Sequence, residues 1–182
     1  MAQAVPADSP LTYQDLARFT GDGRRYELID GTLVVTPAPG LPHQVVVAGL
    51  YRVLYAARPD GVAVLPAPVD FVPHPTTVLQ PDVVVFDATD ADEPRLIRPP
   101  HLVVEVTSPS SRAQDLGAKL LAYAQAGVRC YWVVDPELPV EIAAFRLEGT
   151  EYGSATRARG DERFDAAEPF PVAFVPSALR EV

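Results

Sequence analysis

The sequence is poor in cysteine and in lysine. Its one cysteine, Cys130, excludes an internal disulfide and a zinc site built from cysteines. Cys130 lies in an apolar run, so we expect a buried structural thiol. Lys119 is the one lysine, whereas every other basic side chain among the 15 is an arginine. A single lysine in a chain that otherwise uses arginine suggests that Lys119 occupies a site that needs a compact ammonium group. The alternative is that its presence is due to chance.

The chain also lacks long apolar runs and an excess of positive charge. No stretch approaches the roughly 18 apolar residues that could span a bilayer, and residues 1–10 do not have the pattern of a signal peptide. We therefore expect a cytoplasmic protein with no membrane partner. The formal net charge of -9 argues against broad adhesion to phosphate backbones, so any nucleic-acid contact must be local or assisted by a cation.

The chain has enough apolar residues to form one hydrophobic core. Its 182 residues are 48% hydrophobic, and no internal repeat or interdomain linker interrupts them. We expect a single domain over residues 1–182, with residues 1–10 flexible.

The local patterns predict an α/β protein. Asp30 and Gly31 separate two apolar segments, which predicts a hairpin with a type I′ turn. Helical spacing predicts a helix over residues 43–57, and Thr12 with Asp15 predicts a short helix to about residue 19. Strands are predicted at residues 26–29, 33–36, 62–65, 69–72, 83–86, 102–104, 131–134, 141–147, 152–155 and 171–174.

Residues 102–134 have the strand, helix, strand order of a βαβ unit with parallel strands. Ser111 and Gln114 are spaced as a capping box for the helix, which is expected to stop at Gly127. The serines of residues 108–111 are expected to cap this helix, with phosphate binding as the alternative. The β-branched runs at 83–86 and 102–104 predict central strands covered on both faces, and the acidic segment 87–100 between them predicts a solvated loop.

Two carboxylates lie at the ends of these apolar strands. Asp82 precedes one run and Glu105 follows the other, and a charge in such a place costs several kcal/mol unless it is paired or binds a cation. If the strands are neighbours, the two carboxylates converge, and oxygen ligands of this kind suit Mg²⁺ or Mn²⁺. The alternative is that each acid only caps a strand or forms an ion pair.

Lys119 lies two turns into the helix that follows Glu105, so its ammonium can return to the end of the strand. There it could orient an attacking water or stabilise charge on a phosphodiester. The alternative is an exposed i,i+4 salt bridge with Asp115, worth a few tenths of a kcal/mol.

Together these residues resemble a known family. The resemblance runs from about residue 13 to 175 and rests on an ordered set: residues 26–31, 42–43, 80–85, 104–111, 115–120, 127–128 and 131–136, with Tyr123. This set resembles the Uma2 family of restriction-type endonucleases.

The resemblance implies the PD-(D/E)XK restriction-endonuclease-like fold, a mixed sheet flanked by helices, and Mg²⁺-dependent cleavage of phosphodiesters. It makes Asp82 the motif aspartate, Glu105 the second acid and the backbone carbonyl of Val106 a further metal ligand. The lysine usual in the superfamily would stand two residues after Glu105, where this chain has Thr107. Members of the family resemble this chain in that their lysine comes from the helix after the second acid. This makes Lys119 the corresponding lysine here.

Three further residues are candidates for supporting roles. The resemblance suggests that Glu27 helps to bind or orient the metal; the alternative is a cross-strand pair with an arginine such as Arg25. His43 could meet the metal site or a phosphate, or only cap its helix. Asp115 could support Lys119 within the site or be only its salt-bridge mate.

The leading hypothesis is a Mg²⁺- or Mn²⁺-dependent endodeoxyribonuclease that acts on DNA as a homodimer. The rival is a catalytically inactive nuclease fold used for binding or scaffolding. It is favoured by the acidic charge and by Thr107. Local arginines would position the substrate, the candidates being Arg24, Arg25, Arg95, Arg98 and Arg112.

Overall fold

The structure is a computed structural model that describes residues 3–5, 9–19, 23–108 and 111–181. The strands are β1 (Gln3–Val5), β2 (Arg25–Ile29), β3 (Thr32–Thr36), β4 (Val62–Pro66), β5 (Phe71–His74), β6 (Thr77–Leu79), β7 (Val83–Asp87), β8 (Leu102–Val106), β9 (Cys130–Asp135), β10 (Glu141–Glu148), β11 (Glu151–Tyr152), β12 (Thr156–Arg159), β13 (Phe164–Ala166) and β14 (Val172–Phe174). The α-helices are α1 (Leu41–Ala57), α2 (Arg112–Asp115) and α3 (Ala118–Gln125), and 3₁₀ helices cover Tyr13–Phe19, Ala88–Asp90 and Pro176–Arg180.

Two main sheets organise the described part of the chain. The first has the strand order β1-β3-β2-β6-β5. The second has the order β11-β10-β9-β8-β7-β4, with β12 paired to β10, and β13 and β14 form a separate pair. Within the second sheet β8 and β9 are parallel, whereas β7 is antiparallel to β8. The predicted mixed α/β fold and the parallel βαβ unit are confirmed.

The hairpin at Asp30-Gly31 forms as its turn residues predict. Both residues have positive φ, 49° and 78°, which is the backbone of a type I′ turn. The turn joins β2 to β3 in antiparallel register, with Glu27 opposite Val34. Because side chains alternate along a strand, Arg25 and Glu27 leave β2 on the same face.

The second sheet is covered on both faces, as its continuous apolar strands predict. Val46, Leu50 and Leu54 of α1 pack in one cluster with alternate residues of β7 and β8, such as Val83 and Val104. Ala122 and Tyr123 of α3 pack in a second cluster with the intervening residues, among them Val84 and Val103. The edge from which Asp82 and Glu105 project therefore lies between buried layers.

Several local predictions need correction. The helix predicted from Ser111 to Gly127 is two helices, because Leu116 and Gly117 interrupt it between α2 and α3. Ser111 is the N-cap of α2, but its side chain makes no capping hydrogen bond; its hydroxyl accepts from the backbone N–H of Ser108 at 3.0 Å. The strand predicted at 69–72 is shifted to β5.

Four short strands, β1, β6, β12 and β13, were not predicted. At the first helix, the carboxylate of Asp15 does reach back to the N–H of Thr12 at 2.9 Å, as a capping box requires.

The remaining expectations concern the ends and the exterior. Gln3–Val5 pairs with β3, whereas residues 1, 2 and 6–8 lie outside the described part, so the flexibility of residues 1–10 stays a prediction. Pro109 and Ser110 also lie outside it, and with them the capping role given to Ser110. The single domain stays a prediction. Cys130 is buried, as expected. No helix in the described residues is long and apolar enough to cross a membrane.

Candidate active site

The first feature of the site is the pairing of the strands that carry its two acids. Val83 of β7 lies opposite Val104 of β8 in antiparallel register, and the same register puts Asp82 opposite Glu105. The backbone N–H of Val106 donates to Asp82 Oδ2 at 2.8 Å, which ties the two strand ends together. Asp82 and Glu105 are 3% and 1% exposed. The neighbouring strands that the metal hypothesis requires are therefore present.

Asp82 is held as a carboxylate by its neighbours. Its Oδ1 accepts a hydrogen bond from Arg25 Nη1 at 2.9 Å, and its Oδ2 lies 3.2 Å from His43 Nε2. Burial by itself would raise the pKa of Asp82, but the hydrogen bond from His43 and the charges of Arg25 and Lys119 outweigh it and lower the pKa to about 2. Asp82 is therefore ionised at neutral pH.

Glu105 has the opposite environment. Its Oε1 accepts from Lys119 Nζ at 2.9 Å and from the Tyr123 hydroxyl at 2.7 Å. Complete burial, reinforced by the nearby charges of Asp82 and Asp115, outweighs the attraction of Lys119 and raises the pKa of Glu105 to about 8. Two adjacent carboxyl groups thus differ in their readiness to lose a proton.

Lys119 lies among three acids. Its Nζ is 2.9 Å from Glu105 Oε1, 3.0 Å from Glu27 Oε1 and 3.9 Å from Asp115 Oδ1. Burial opposes the charge, but the carboxylates outweigh it and raise the pKa of Lys119. Lys119 and Asp115 are 3% and 2% exposed, so the alternative of an ordinary exposed salt bridge is wrong. Burial also raises the pKa of Asp115, to about 6.

Glu27 and His43 are brought into the same cluster. Glu27, 0% exposed, pairs with Lys119, and its alternative partner Arg25 pairs with Asp82 instead. His43 lies in the first turn of α1, whose N-cap is Gly40, so His43 does not cap the helix. Its ring reaches Asp82. The structure thus brings together the six predicted side chains and the backbone of Val106, and their catalytic, supporting and metal-binding roles stay predictions.

A cavity of about 120 Å³ opens beside the cluster. One wall is the segment from Thr36 to Gly40, which joins β3 to α1, and the other walls include Arg25, Glu105, Val106 and Lys119. The cavity gives a small polar ligand access to side chains that are otherwise buried. Of the candidate residues, His43, Glu105, Val106, Asp115 and Lys119 line the cavity, whereas Asp82 and Glu27 lie behind its wall.

Sequence reasoning missed two contributors. Arg25 was one arginine among several, yet it contacts the motif aspartate directly. Tyr123 was singled out only as part of the resemblance, although it stands four residues after Lys119, the spacing that puts two side chains on one helix face. Thr107, where the superfamily usually has its lysine, is buried and donates its N–H to the Val134 carbonyl at 2.8 Å.

The other candidate arginines are engaged away from the cluster. Arg98 pairs with Asp90, Arg112 pairs with Asp135, and the guanidinium of Arg95 lies 4.6 Å from the centre of the Tyr13 ring. Arg24 is exposed.

The residues fit a divalent cation in donor chemistry and in charge. Four buried acids, Glu27, Asp82, Glu105 and Asp115, face two permanent cations, so their full ionisation leaves an excess of two negative charges that one divalent cation balances. Asp115 Oδ2, in a residue that lines the cavity, is buried without a hydrogen-bond partner among the described residues; Glu27 Oε2 also lacks one, but Glu27 does not line the cavity. Hard carboxylate oxygens are the ligands that Mg²⁺ and Mn²⁺ prefer.

The described residues contain no group of three or more His, Cys, Asp or Glu side chains arranged to hold a metal ion. The predicted ligand set has two carboxylates and one backbone carbonyl and so does not need such a group. Arg25 contacts Oδ1 of Asp82 and His43 contacts Oδ2, so a cation bound to Asp82 would compete with them.

The fold is similar to that of a solved structure described as a "putative nuclease". A solved structure from Anabaena variabilis, titled a "putative nuclease belonging to DUF820", superposes with a TM-score of 0.68 over 95% of this chain and 93% of that chain, at 17% sequence identity. A likeness at this identity shows a shared fold. No curated protein matches the sequence.

The family is shown by the sequence itself. A family model matches residues 11–179, and its description is Uma2, "Putative restriction endonuclease". The chain therefore belongs to the Uma2 family, and the predicted family membership is confirmed. Membership supports a nuclease function, which is a hydrolase activity on nucleic acid.

Proposed function

We propose that the chain is a Mg²⁺- or Mn²⁺-dependent endonuclease that hydrolyses phosphodiester bonds in DNA. The observation that carries the proposal is the convergence of Asp82, Glu105 and Lys119 at one buried sheet edge beside a cavity. Membership of the Uma2 family supports it. We include in the proposal a cytoplasmic location and action as a homodimer, because two symmetric copies suit the two strands of a duplex.

The roles follow from the environments of the groups. Asp82 and Glu105, with the carbonyl of Val106, would hold the cation, which when bound activates water and neutralises charge that builds on the phosphodiester. Lys119 keeps its proton in this cluster, so it acts as a fixed positive charge rather than as a base. Placed at the cavity wall, its ammonium stabilises the transition state and orients the attacking water.

Cleavage of plasmid and oligonucleotide DNA in the presence of Mg²⁺ or Mn²⁺ tests the proposal. The Asp82→Asn variant should lose cleavage, and Lys119→Ala should reduce kcat by about 10²–10³-fold, the usual cost of removing a transition-state charge partner. Asp165→Asn, which removes the same charge from an exposed pair with Arg163, is the control and should cleave normally. Equal activity in all of these proteins would remove the enzyme assignment. DNA binding without any cleavage would favour the inactive binding module.

A further inference from the structure

Lys119 comes from a helix rather than from the strand that carries Glu105. A lysine on that strand would be held by the backbone next to the acid, whereas Lys119 extends from α3 and needs a partner that fixes its tip. Glu105 supplies one contact, but Glu105 is also a proposed metal ligand, so its charge is shared. The question is which other group holds the ammonium.

Glu27 has the geometry for that role. It lies on β2 in the first sheet, whereas β7 and β8 belong to the second, and it is fully buried. Its Oε1 contacts Lys119 Nζ at 3.0 Å and accepts the backbone N–H of Gln80 at 2.8 Å. Gln80 precedes the Pro81-Asp82 step. One carboxylate oxygen therefore links the lysine of α3 to the backbone that presents the motif aspartate.

Other neighbours of Lys119 are less suited to this role. Asp115 is four residues away on the adjoining helix, but its Oδ1 is 3.9 Å from Nζ, too far for a hydrogen bond. Tyr123 donates to Glu105 rather than contacting the lysine. Glu27 is fully buried and does not line the cavity, whereas Lys119 does, so Glu27 contacts the lysine from behind the cavity wall.

We propose that Glu27 is the positioning residue of Lys119: it fixes the ammonium of the helix lysine against the Gln80–Asp82 segment without itself binding the metal or touching the substrate. The inference rests on the proposed role of Lys119. It differs from a metal-ligand role for Glu27, because it predicts that loss of the Glu27 charge disturbs the lysine and leaves cation binding in place.

The single lysine makes the test direct. Protein labelled with ¹⁵N-lysine carries one side-chain Nζ, so its NMR signal and hydrogen exchange report on Lys119 without overlap. We expect a slowly exchanging signal in the wild type. In Glu27→Gln, which keeps an oxygen for the Gln80 N–H, we expect at least tenfold faster exchange. Asp115→Asn is the matched control and should show a smaller effect, because its contact is longer.

Cation titration and kinetics separate the outcomes. The Kd of Glu27→Gln for Mn²⁺ should be within about threefold of the wild-type value. In DNA cleavage the same change should lower kcat by about 10–100-fold with little change in KM, the effect usual for loss of a supporting contact. An unchanged Nζ exchange rate would overturn the inference, and so would a loss of Mn²⁺ binding. If the wild type neither binds Mn²⁺ nor cleaves DNA, the proposed function fails, while the NMR comparison still decides whether Glu27 holds Lys119.

Discussion

At the scale of single residues, the site is a set of buried charges, each of which would lower the stability of the fold if it had no charged partner. Arg25 and His43 stabilise the ionised form of Asp82. Burial and the acidic neighbours destabilise the ionised form of Glu105. Buried acids of this kind lower the stability of a fold when their charge is not balanced. Their presence at a cavity is a physical reason to connect the cluster with function rather than with stability.

The two acids should therefore affect stability in opposite directions as pH changes. Folding raises the pKa of Glu105 from 4.5 to about 8, so its favourable contribution is present below about pH 4.5 and is lost as pH rises through 8. Folding lowers the pKa of Asp82 from 3.8 to about 2, so its contribution is present above about pH 4 and is lost as pH falls towards 2.

We expect Glu105→Gln to gain stability relative to wild type between about pH 5 and pH 9, by about 2 kcal/mol, or roughly 4–8 °C in Tm. Asp82→Asn should be less stable than wild type at neutral pH, with the difference closing towards pH 2. Thermal unfolding across this pH range without divalent cations measures both effects. Curves for Glu105→Gln and wild type that stay parallel would show that the Glu105 pKa is not raised.

The residue identities in the site were accessible from the sequence, but the contacts were not. Two acids at the ends of apolar strands and one lysine among arginines are local signals, and they single out Asp82, Glu105 and Lys119. The contact of Glu27 with Lys119 joins residues on β2 and α3, and no local pattern encodes a pairing at that separation. The contact of Arg25 with Asp82 was hidden for the same reason.

At the scale of elements, predictions succeeded where one strong local signal decides the structure. The Asp30-Gly31 turn set the register of β2 and β3, and the β-branched runs set β7 and β8. They failed where elements are short or interrupted. β12 and β13 have only four and three residues and are stabilised by their neighbours in the sheets rather than by their own propensity. Gly117 divides the predicted helix because its backbone is not helical, with φ -124° and ψ -98°.

The packing of α1 depends on a glycine in its middle. A Cβ built on Gly49 would lie 2.2 Å from the carbonyl oxygen of Leu179, and that oxygen belongs to backbone that cannot rotate away. Gly49→Ala should therefore destabilise the fold by about 1–3 kcal/mol, although alanine is the better helix former. Urea unfolding measures the difference.

Gly40→Ala provides the comparison, since a Cβ there has its nearest contact at 3.8 Å. The change at Gly40 should be smaller than the change at Gly49. A neutral or stabilising Gly49→Ala would mean that α1 and the 3₁₀ helix Pro176–Arg180 do not pack as closely as described.

At the scale of the whole molecule, the site is built at the meeting of two sheets and three helices. The first sheet contributes Arg25 and Glu27, and the second contributes Glu105 with Asp82 next to β7. His43, Asp115 and Lys119 come from α1, α2 and α3. No one element holds the cluster, which explains why the chain needs the complete fold to assemble it. With a net charge of -9, the proposed contact with a phosphodiester would have to be local or assisted by a cation.

A crystal structure with Mn²⁺, with data collected for anomalous scattering, tests the central claim most directly. The account predicts an anomalous peak in contact with both Asp82 and Glu105, with Arg25 or His43 displaced from Asp82, and no such peak in an Asp82→Asn crystal grown in the same way. A fully occupied Mn²⁺ elsewhere, or none, with the contacts of Asp82 to Arg25 and His43 unchanged, would contradict it.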